Sequence, residues 1–429
     1  MRILFVNTSD DVGGAAIAAR RLMQALAATG QVEARMLVRR KRTDDPLVEA
    51  IPHGRRAQVK FALERLELFV RGGFSRKNLF QIDQARFGTD ITRHPLYAWA
   101  DIVHLHWVGQ AMLSAADLER LVGGPKPIVW TLHDMWPFMG ICHLAALTTC
   151  DRWKRDCGYC PLLPGKGKAD DLSRRVFRRK RDIYARGHIH FVGCSDYLAA
   201  MAAESPLTDG HTVRSIPNPI DTDFFAPRDS GEARRRLGLP EGKRILLFVA
   251  CRATDPAKGI HYLADALHLL SRRLPDLAQR LAVAIAGEDA DEAAALFDVE
   301  AHAMGYVADP ARMRDLYAAA DLLVMPTLQD NLPNTIVEAL ATGTPCVGFH
   351  TGGLPQMIKT GLNGYLAAYR DAGDLGHGIA QTLFGTNYAE QCRTARRMAV
   401  ENYGREVVAA RYTALYRGIL ETDTNNKNT

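Results

Sequence analysis

The sequence predicts an α/β protein of two doubly wound domains, each a parallel sheet covered by helices. Three observations carry this. Short apolar runs alternate with helical patterns along the whole chain. The runs are continuously apolar rather than alternating, as in strands buried on both faces. They form two series, separated at 218–244 by NPIDTDFFAPRDSGEARRRLGLPEGKR, where proline, glycine and charge interrupt the pattern. With 429 residues, two domains of ordinary size fit the length.

The strands of the first series are RILFVN (2–7), ARMLVRR (34–40), DIVHLHW (101–107), PIVWTLHD (127–134), HIHFVGCS (188–195) and TVRSIPN (212–218). Those of the second are RILLFVA (244–250), LAVAIAGE (281–288), HAMGYV (302–307), DLLVMPT (321–327) and TPCVGFH (344–350). Helical stretches such as 15–29 and 259–274 lie between them. The first domain is therefore expected at 1–225, with a cysteine cluster at 142–160, and the second at 240–400. The helical stretch within 401–420 is a candidate to return to the first domain, and the tail TDTNNKNT is expected to be disordered.

Composition is that of a globular protein, 47% hydrophobic and 24% charged, with no apolar run long enough to span a membrane. The N-terminus reads as a strand entering a glycine turn rather than a signal peptide, so the expected location is cytoplasmic. Charge is uneven: residues 1–225 hold 32 Lys and Arg against 24 Asp and Glu, and the remainder 22 against 24. Two segments, 54–80 and 173–186, mix arginine with apolar residues at near-helical spacing. They are either solvated helices with apolar undersides or a contact for an anionic partner such as a membrane surface.

In open parallel sheets ligands bind beyond the carboxyl ends of the strands, and with two domains the default site is the cleft between them. After the first strand, Gly13 and Gly14 allow close backbone approach and open a helix whose N–H groups suit an anion. There is neither G-x-G-x-x-G nor a Walker lysine. Early in the second series, Arg252 and Lys258 flank a turn and could hold a diphosphate. After DLLVMPT comes QDNLPNTIVEAL (329–340), with Pro333 expected in the first helical turn. Asp330, Asn331 and Leu332 feed that helix N-terminus, and Glu338 lies about one and a half turns inside, at about 3.6 residues per turn. A carboxylate accepts two hydroxyl hydrogen bonds, which suits a ribose or hexose diol. The arrangement fits a sugar nucleotide.

These motifs resemble the retaining glycosyltransferases of family 4, with the two-Rossmann-domain GT-B fold. The matching residues are VGGAA (12–16), TLHDMWPFMG (131–140), IPNPIDTDFF (216–225), Arg252, Lys258-Gly259, GYVAD (305–309), Asp330 and Glu338, and TGGLPQMI with GLNGYL (351–366). HLHW and the cysteine cluster are most like bacterial exopolysaccharide and colanic-acid-type enzymes. The resemblance implies that Glu338 holds the donor ribose and that Asp330, with the amides of Asn331, Leu332 and Asn334, holds the transferred sugar. It also implies that Arg252 and Lys258 neutralise the diphosphate, that Val307 meets the base, and that Gly13 and Gly14 approach the phosphate. His133 would approach the sugar. Attack would come from the face the diphosphate leaves, needing no catalytic divalent metal if the cations suffice. The sequence departs from the family pattern at Asp330, where Glu is common, at Gln356, and in a long Arg252–Lys258 spacing.

The expected partners are a nucleoside diphosphate sugar, a glycan or polyprenyl-diphosphate-linked acceptor at the inner face of the cytoplasmic membrane, and that anionic membrane itself. The competing classes are a nucleotide-sugar epimerase on the same fold and a non-enzymatic anion binder; no base-reading motif supports nucleic acid. His104 and His106 face one side of a strand, near His133 and Asp134, which reads as a metal site second and as the floor of a binding cleft first. Cys142, Cys150, Cys157 and Cys160, with His143 as a substitute ligand, read as structural zinc first, free thiols second and disulfides third.

Overall fold

The computed structural model describes residues 1–51, 54–76, 79–144 and 150–427, excluding the side chains of 54–57 and 425–427. Arg55, Arg56 and Lys77 of the first basic segment therefore lie outside the described side chains. The chain divides into two compact units, Met1–Pro219 with Val408–Thr429, and Ile220–Val407.

The first unit holds seven strands: β1 (Arg2–Ser9), β2 (Glu33–Arg40), β3 (Val48–Ala50), β4 (Ile102–Leu105), β5 (Ile128–Leu132), β6 (Ile189–Gly193) and β7 (Thr212–Ser215). They pair in the order β3-β2-β1-β4-β5-β6-β7, every pair parallel. The second holds β8 (Arg244–Arg252), β9 (Leu281–Glu288), β10 (Glu300–Gly305), β11 (Leu322–Met325), β12 (Cys346–Phe349) and β13 (Gly364–Ala367). Its order is β10-β9-β8-β11-β12-β13, again all parallel. In both sheets the winding reverses once, between β1 and β4 and between β8 and β11. Loops leaving neighbouring strands part there, and the gap is where such sheets receive ligands.

The continuous apolar runs explain the parallel sheets. Leu246, Phe248, Val283, Ile285, Leu322, Val324, Val347 and Phe349 share one core with Leu263, Leu267 and Leu270 of the helix Ile260–Arg273. In the first unit Ile3, Phe5, Met36, Val38 and Val129 pack with Leu22, Met23 and Leu26 of the helix Gly14–Ala28. The last helix, Arg405–Lys427, completes this core with Val408, Tyr412, Leu415, Tyr416 and Ile419, which fall on one helical face. Two of these carry hydroxyls into the core, and each finds a partner: Tyr412 pairs with Thr131 Oγ1 (2.9 Å) and Tyr416 with His104 Nδ1 (2.7 Å). The tail expected to be disordered is helical as far as Lys427.

Because Tyr412 is buried among strand residues, Tyr412→Ala should destabilise the first unit by about 3–5 kcal/mol. Chemical denaturation followed by tryptophan fluorescence checks this, and a loss below about 1 kcal/mol, the scale of a surface change, would contradict the packing.

Candidate functional site

Three loops at the carboxyl ends of β8, β11 and β12 form one layered structure in the second unit. Gly259 ends the turn Pro256–Lys258 with φ +76°, and a Cβ there would lie 1.9 Å from Pro326 O. On the other side Gly352, φ +54°, would place a Cβ 2.0 Å from Asp330 O. Both positions need glycine, for backbone conformation and for space. Main-chain bonds hold the layers: Leu328 N donates to Ala257 O (2.9 Å), and Gly353 N to Asp330 O (3.1 Å). Thr327 Oγ1 adds a bond to Ala257 O at 3.1 Å.

This stack brings Lys258 to Asp330, Nζ to Oδ2 at 2.9 Å, across the β8/β11 reversal. The Asp330 charge raises the Lys258 pKa against the opposing effect of burial, so the ammonium is firmly charged. The other Asp330 oxygen accepts from Asn331 N (2.9 Å). Asn331 and Leu332 are buried beside the start of the helix Asn334–Ala341. Pro333 is the N-cap, one position before its expected place, and gives that helix no side-chain cap. Glu338 is buried within the helix, and Tyr317 donates its hydroxyl to Glu338 Oε2 at 2.7 Å. Tyr317 was not singled out in the sequence; its place in the apolar stretch DLYAAADLL (315–323) reads as core.

Arg252 stands apart. It is the last residue of β8, largely exposed, and its guanidinium lies 3.3 Å from Asp289 and 3.9 Å from Glu288. The structure therefore pairs Lys258, not Arg252, with the Asp330 loop. Val307 is half-buried in the loop after β10.

In the first unit the winding reversal is closed by Thr8, whose N and Oγ1 both donate to Trp107 O at 2.9 Å. Gly13, φ +85°, precedes the helix Gly14–Ala28 without a side-chain cap, and a Cβ at Gly13 would meet nothing within 4 Å. His133 Nε2 bonds His106 Nδ1 (2.9 Å), and His104 Nε2 bonds Thr131 Oγ1 (2.7 Å). Burial pushes all three histidines down, His133 to about 4, so they are neutral at ordinary pH. Burial opposes ionisation of Asp134. The His143 charge and hydrogen bonds from His143 (2.6 Å), Trp136 N (3.0 Å) and Trp107 Nε1 (2.7 Å) outweigh it and hold the carboxyl low.

Among the described residues no group of three or more His, Cys, Asp or Glu side chains is placed to hold a metal ion. Cys142, Cys150, Cys157 and Cys160 are free thiols. Burial raises the pKa of Cys142, Cys157 (to about 12) and Cys160 (to about 11), and the neighbouring thiols of the knot add to the rise. The cation in this knot is Lys180, buried, with Nζ donating to Trp136 O (2.5 Å), Met139 O (2.9 Å) and Gly140 O (3.0 Å) and standing 3.3 Å over the Trp136 ring.

Two units, each a parallel, doubly wound sheet with helices, define the GT-B class. Two family models match the chain: Glycosyltransferase Family 4 over residues 12–224 and Glycosyl transferases group 1 over 243–384. The chain belongs to the family 4 glycosyltransferases. It is 32% identical over 201 residues to D-inositol 3-phosphate glycosyltransferase 2 of Catenulispora acidiphila, covering 42% of this chain and 47% of that protein. The chain thus spans about half the length of the curated relatives it matches. Among solved structures it resembles sucrose-phosphate synthase from Thermosynechococcus elongatus, with 18% identity, a TM-score of 0.65, and 98% and 100% of the two chains covered. It also resembles Anabaena HepE in complex with UDP-glucose, with 16% identity, a TM-score of 0.62, and coverage of 97% and 100%.

The stacked loops yield a prediction. Gly352→Ala adds left-handed strain and a clash with Asp330 O, and should destabilise the second unit by roughly 2–4 kcal/mol. Denaturant titration measures it; unchanged stability would mean that the loops are not clamped there.

Proposed function

We propose that the protein moves a sugar from a nucleoside diphosphate sugar to a hydroxyl of a glycan or lipid-linked acceptor, retaining anomeric configuration, in the synthesis of a surface polysaccharide. The observation that carries this reading is the Lys258–Asp330 pair at the second sheet's reversal, beside a helix start without a side-chain cap. An ammonium and a helix N-terminus are complementary to a diphosphate, and the buried Glu338 to a ribose diol. HepE, solved with UDP-glucose, makes that donor the first to test.

In the reaction the bond between the anomeric carbon and the β-phosphate oxygen breaks, and its electron pair stays on the departing diphosphate. The acceptor oxygen bonds the anomeric carbon on the same face, and its proton passes to a diphosphate oxygen. Lys258 stabilises the charge that grows on that leaving group. Asp330 and the backbone amides beside it hold sugar hydroxyls. Arg252, engaged with Asp289, contributes less than Lys258. In the first unit neutral His133 is a hydrogen-bonding group for a sugar hydroxyl, and the open backbone at Gly13, before Gly14, admits a ligand oxygen. The acceptor is membrane-borne, and the protein works peripherally at the cytoplasmic face.

Purified protein with UDP- and GDP-sugars tests the reading. Glu338→Gln should raise the donor Kd by about 10- to 100-fold, the scale of a hydrogen bond to a charged group. Lys258→Ala should lower turnover by about 100- to 1000-fold with a smaller change in donor Kd, because its partner charge grows in the transition state. Wild-type donor affinity in Glu338→Gln, or equal losses of turnover and affinity in Lys258→Ala, would sink these roles.

A further inference from the structure

Two histidines stand just beyond neighbouring strands of the first unit, His106 after β4 and His133 after β5. Their rings stack with centroids 5.2 Å apart. His133 is half-buried, whereas His106 is 3% exposed. The backbone of His106 is held from both sides: its N donates to Val6 O (3.0 Å), and its O accepts from Trp130 Nε1 (2.9 Å). Its ring stacks on Phe5, with centroids 5.2 Å apart and planes 16° from parallel, and lies 4.3 Å from the His104 ring. The core fixes His106. His133, at the end of its strand, takes its bearing from it.

The His106 ring has two nitrogens and one hydrogen bond. Nδ1 bonds His133 Nε2 at 2.9 Å, and Nε2 is buried with no partner among the described residues. His104 does not supply one, since its Nδ1 is engaged with Tyr416 and its Nε2 with Thr131. Burial keeps His106 and His133 neutral at ordinary pH, so each ring carries a single hydrogen. Two arrangements are then open. With the His106 hydrogen on Nε2, a buried N–H stands without an acceptor. With it on Nδ1, the unpartnered atom is a lone pair instead. Orphaned buried N–H groups are rarer in folded proteins than orphaned acceptors, which favours the second arrangement. There His106 Nδ1–H donates to His133 Nε2, so His133 Nε2 is bare and its own hydrogen sits on Nδ1.

We propose that His106 is a positioning residue: its Nδ1–H holds His133 in the tautomer with the hydrogen on Nδ1, so His133 meets the transferred sugar only as a hydrogen-bond donor. That the group at His133 is a sugar rests on the function proposed above; the tautomer does not rest on it. The fixed hydrogen also selects. A hydroxyl or carboxylate oxygen of the sugar satisfies it, and the ammonium of an amino sugar does not.

NMR of the full-length chain, isotopically labelled at the histidine ring nitrogens and recorded at neutral pH, tests this. Resonances are assigned by comparison with His133→Asn. Wild type should show both His106 and His133 with a protonated Nδ1 and a bare Nε2. His106→Asn puts an amide N–H where Nδ1 was and should keep His133 in that tautomer. His106→Phe keeps a stacked ring but donates nothing, and the His133 hydrogen should move at least in part to Nε2. Sugar transfer from the UDP- or GDP-sugar that wild type uses gives a second readout. kcat/KM should fall about tenfold in His106→Phe, the scale of one lost hydrogen bond, and return to within about threefold of wild type in His106→Asn. A protonated His133 Nε2 in wild type would overturn the proposal, as would an unchanged His133 spectrum or unchanged transfer in His106→Phe. Should His106→Phe fail to fold, the spectra of wild type and His106→Asn decide: a bare His133 Nδ1 in either contradicts the assignment. The expected tautomer in a wild type that binds no sugar nucleotide would instead remove the proposed function and leave the tautomer standing.

Discussion

The ion pair between Lys258 and Asp330 depends on two places where backbone runs against backbone. Gly259 lies under Pro326 O and Gly352 under Asp330 O, so near that any side chain would force the loops apart. Only with both contacts made does the Asp330 loop stand 2.9 Å from the Lys258 ammonium. The loop in turn fixes where the helix Asn334–Ala341 begins, and that start sets the depth of Glu338. The positions proposed for diphosphate, sugar and ribose thus descend from one stack of three loops at a sheet's winding reversal.

Two lysines, the buried Lys180 and the half-buried Lys258, have opposite employment. Lys180 is spent on structure: three carbonyl oxygens and the Trp136 ring surround it, and it pins the loop after β5. Burial lowers its pKa to about 7. Lys258 has a carboxylate partner, which raises its pKa, and its ammonium is about one third exposed. A cation held by a carboxylate can exchange that carboxylate for a phosphate. A cation enclosed by carbonyls cannot.

Much of this was legible from residue order. Long apolar runs marked the strands that carry each sheet's centre, and Asp330 and Glu338 marked the helix that follows β11. The edges were not legible. β3 has three residues and one buried side chain, and β13 reads GYLA within a loop-like glycine motif. Helical periodicity finds an apolar face but carries no sign for inside or outside, so it did not show that the helix 54–71 leaves Val59, Leu63, Leu66 and Val70 exposed while the helix 172–184 buries Phe177 and Ile183. Cysteine spacing pointed to a knot but not to Lys180, which in sequence is one more charge in RRKR and in the structure lies buried against the loop after β5. Tyr317, which supports Glu338, looks like core because it is core.

The central claim is that Lys258 is held by Asp330 until a diphosphate takes it over. Calorimetry of a bare nucleoside diphosphate, UDP or GDP, binding to wild type, Asp330→Asn, Lys258→Ala and the double variant tests it directly. The account predicts that Asp330→Asn binds the nucleotide several-fold more tightly than wild type, because the ammonium no longer leaves a carboxylate to bind phosphate, and that Lys258→Ala abolishes the gain. Weaker nucleotide binding by Asp330→Asn, or a gain that survives in the double variant, would contradict it.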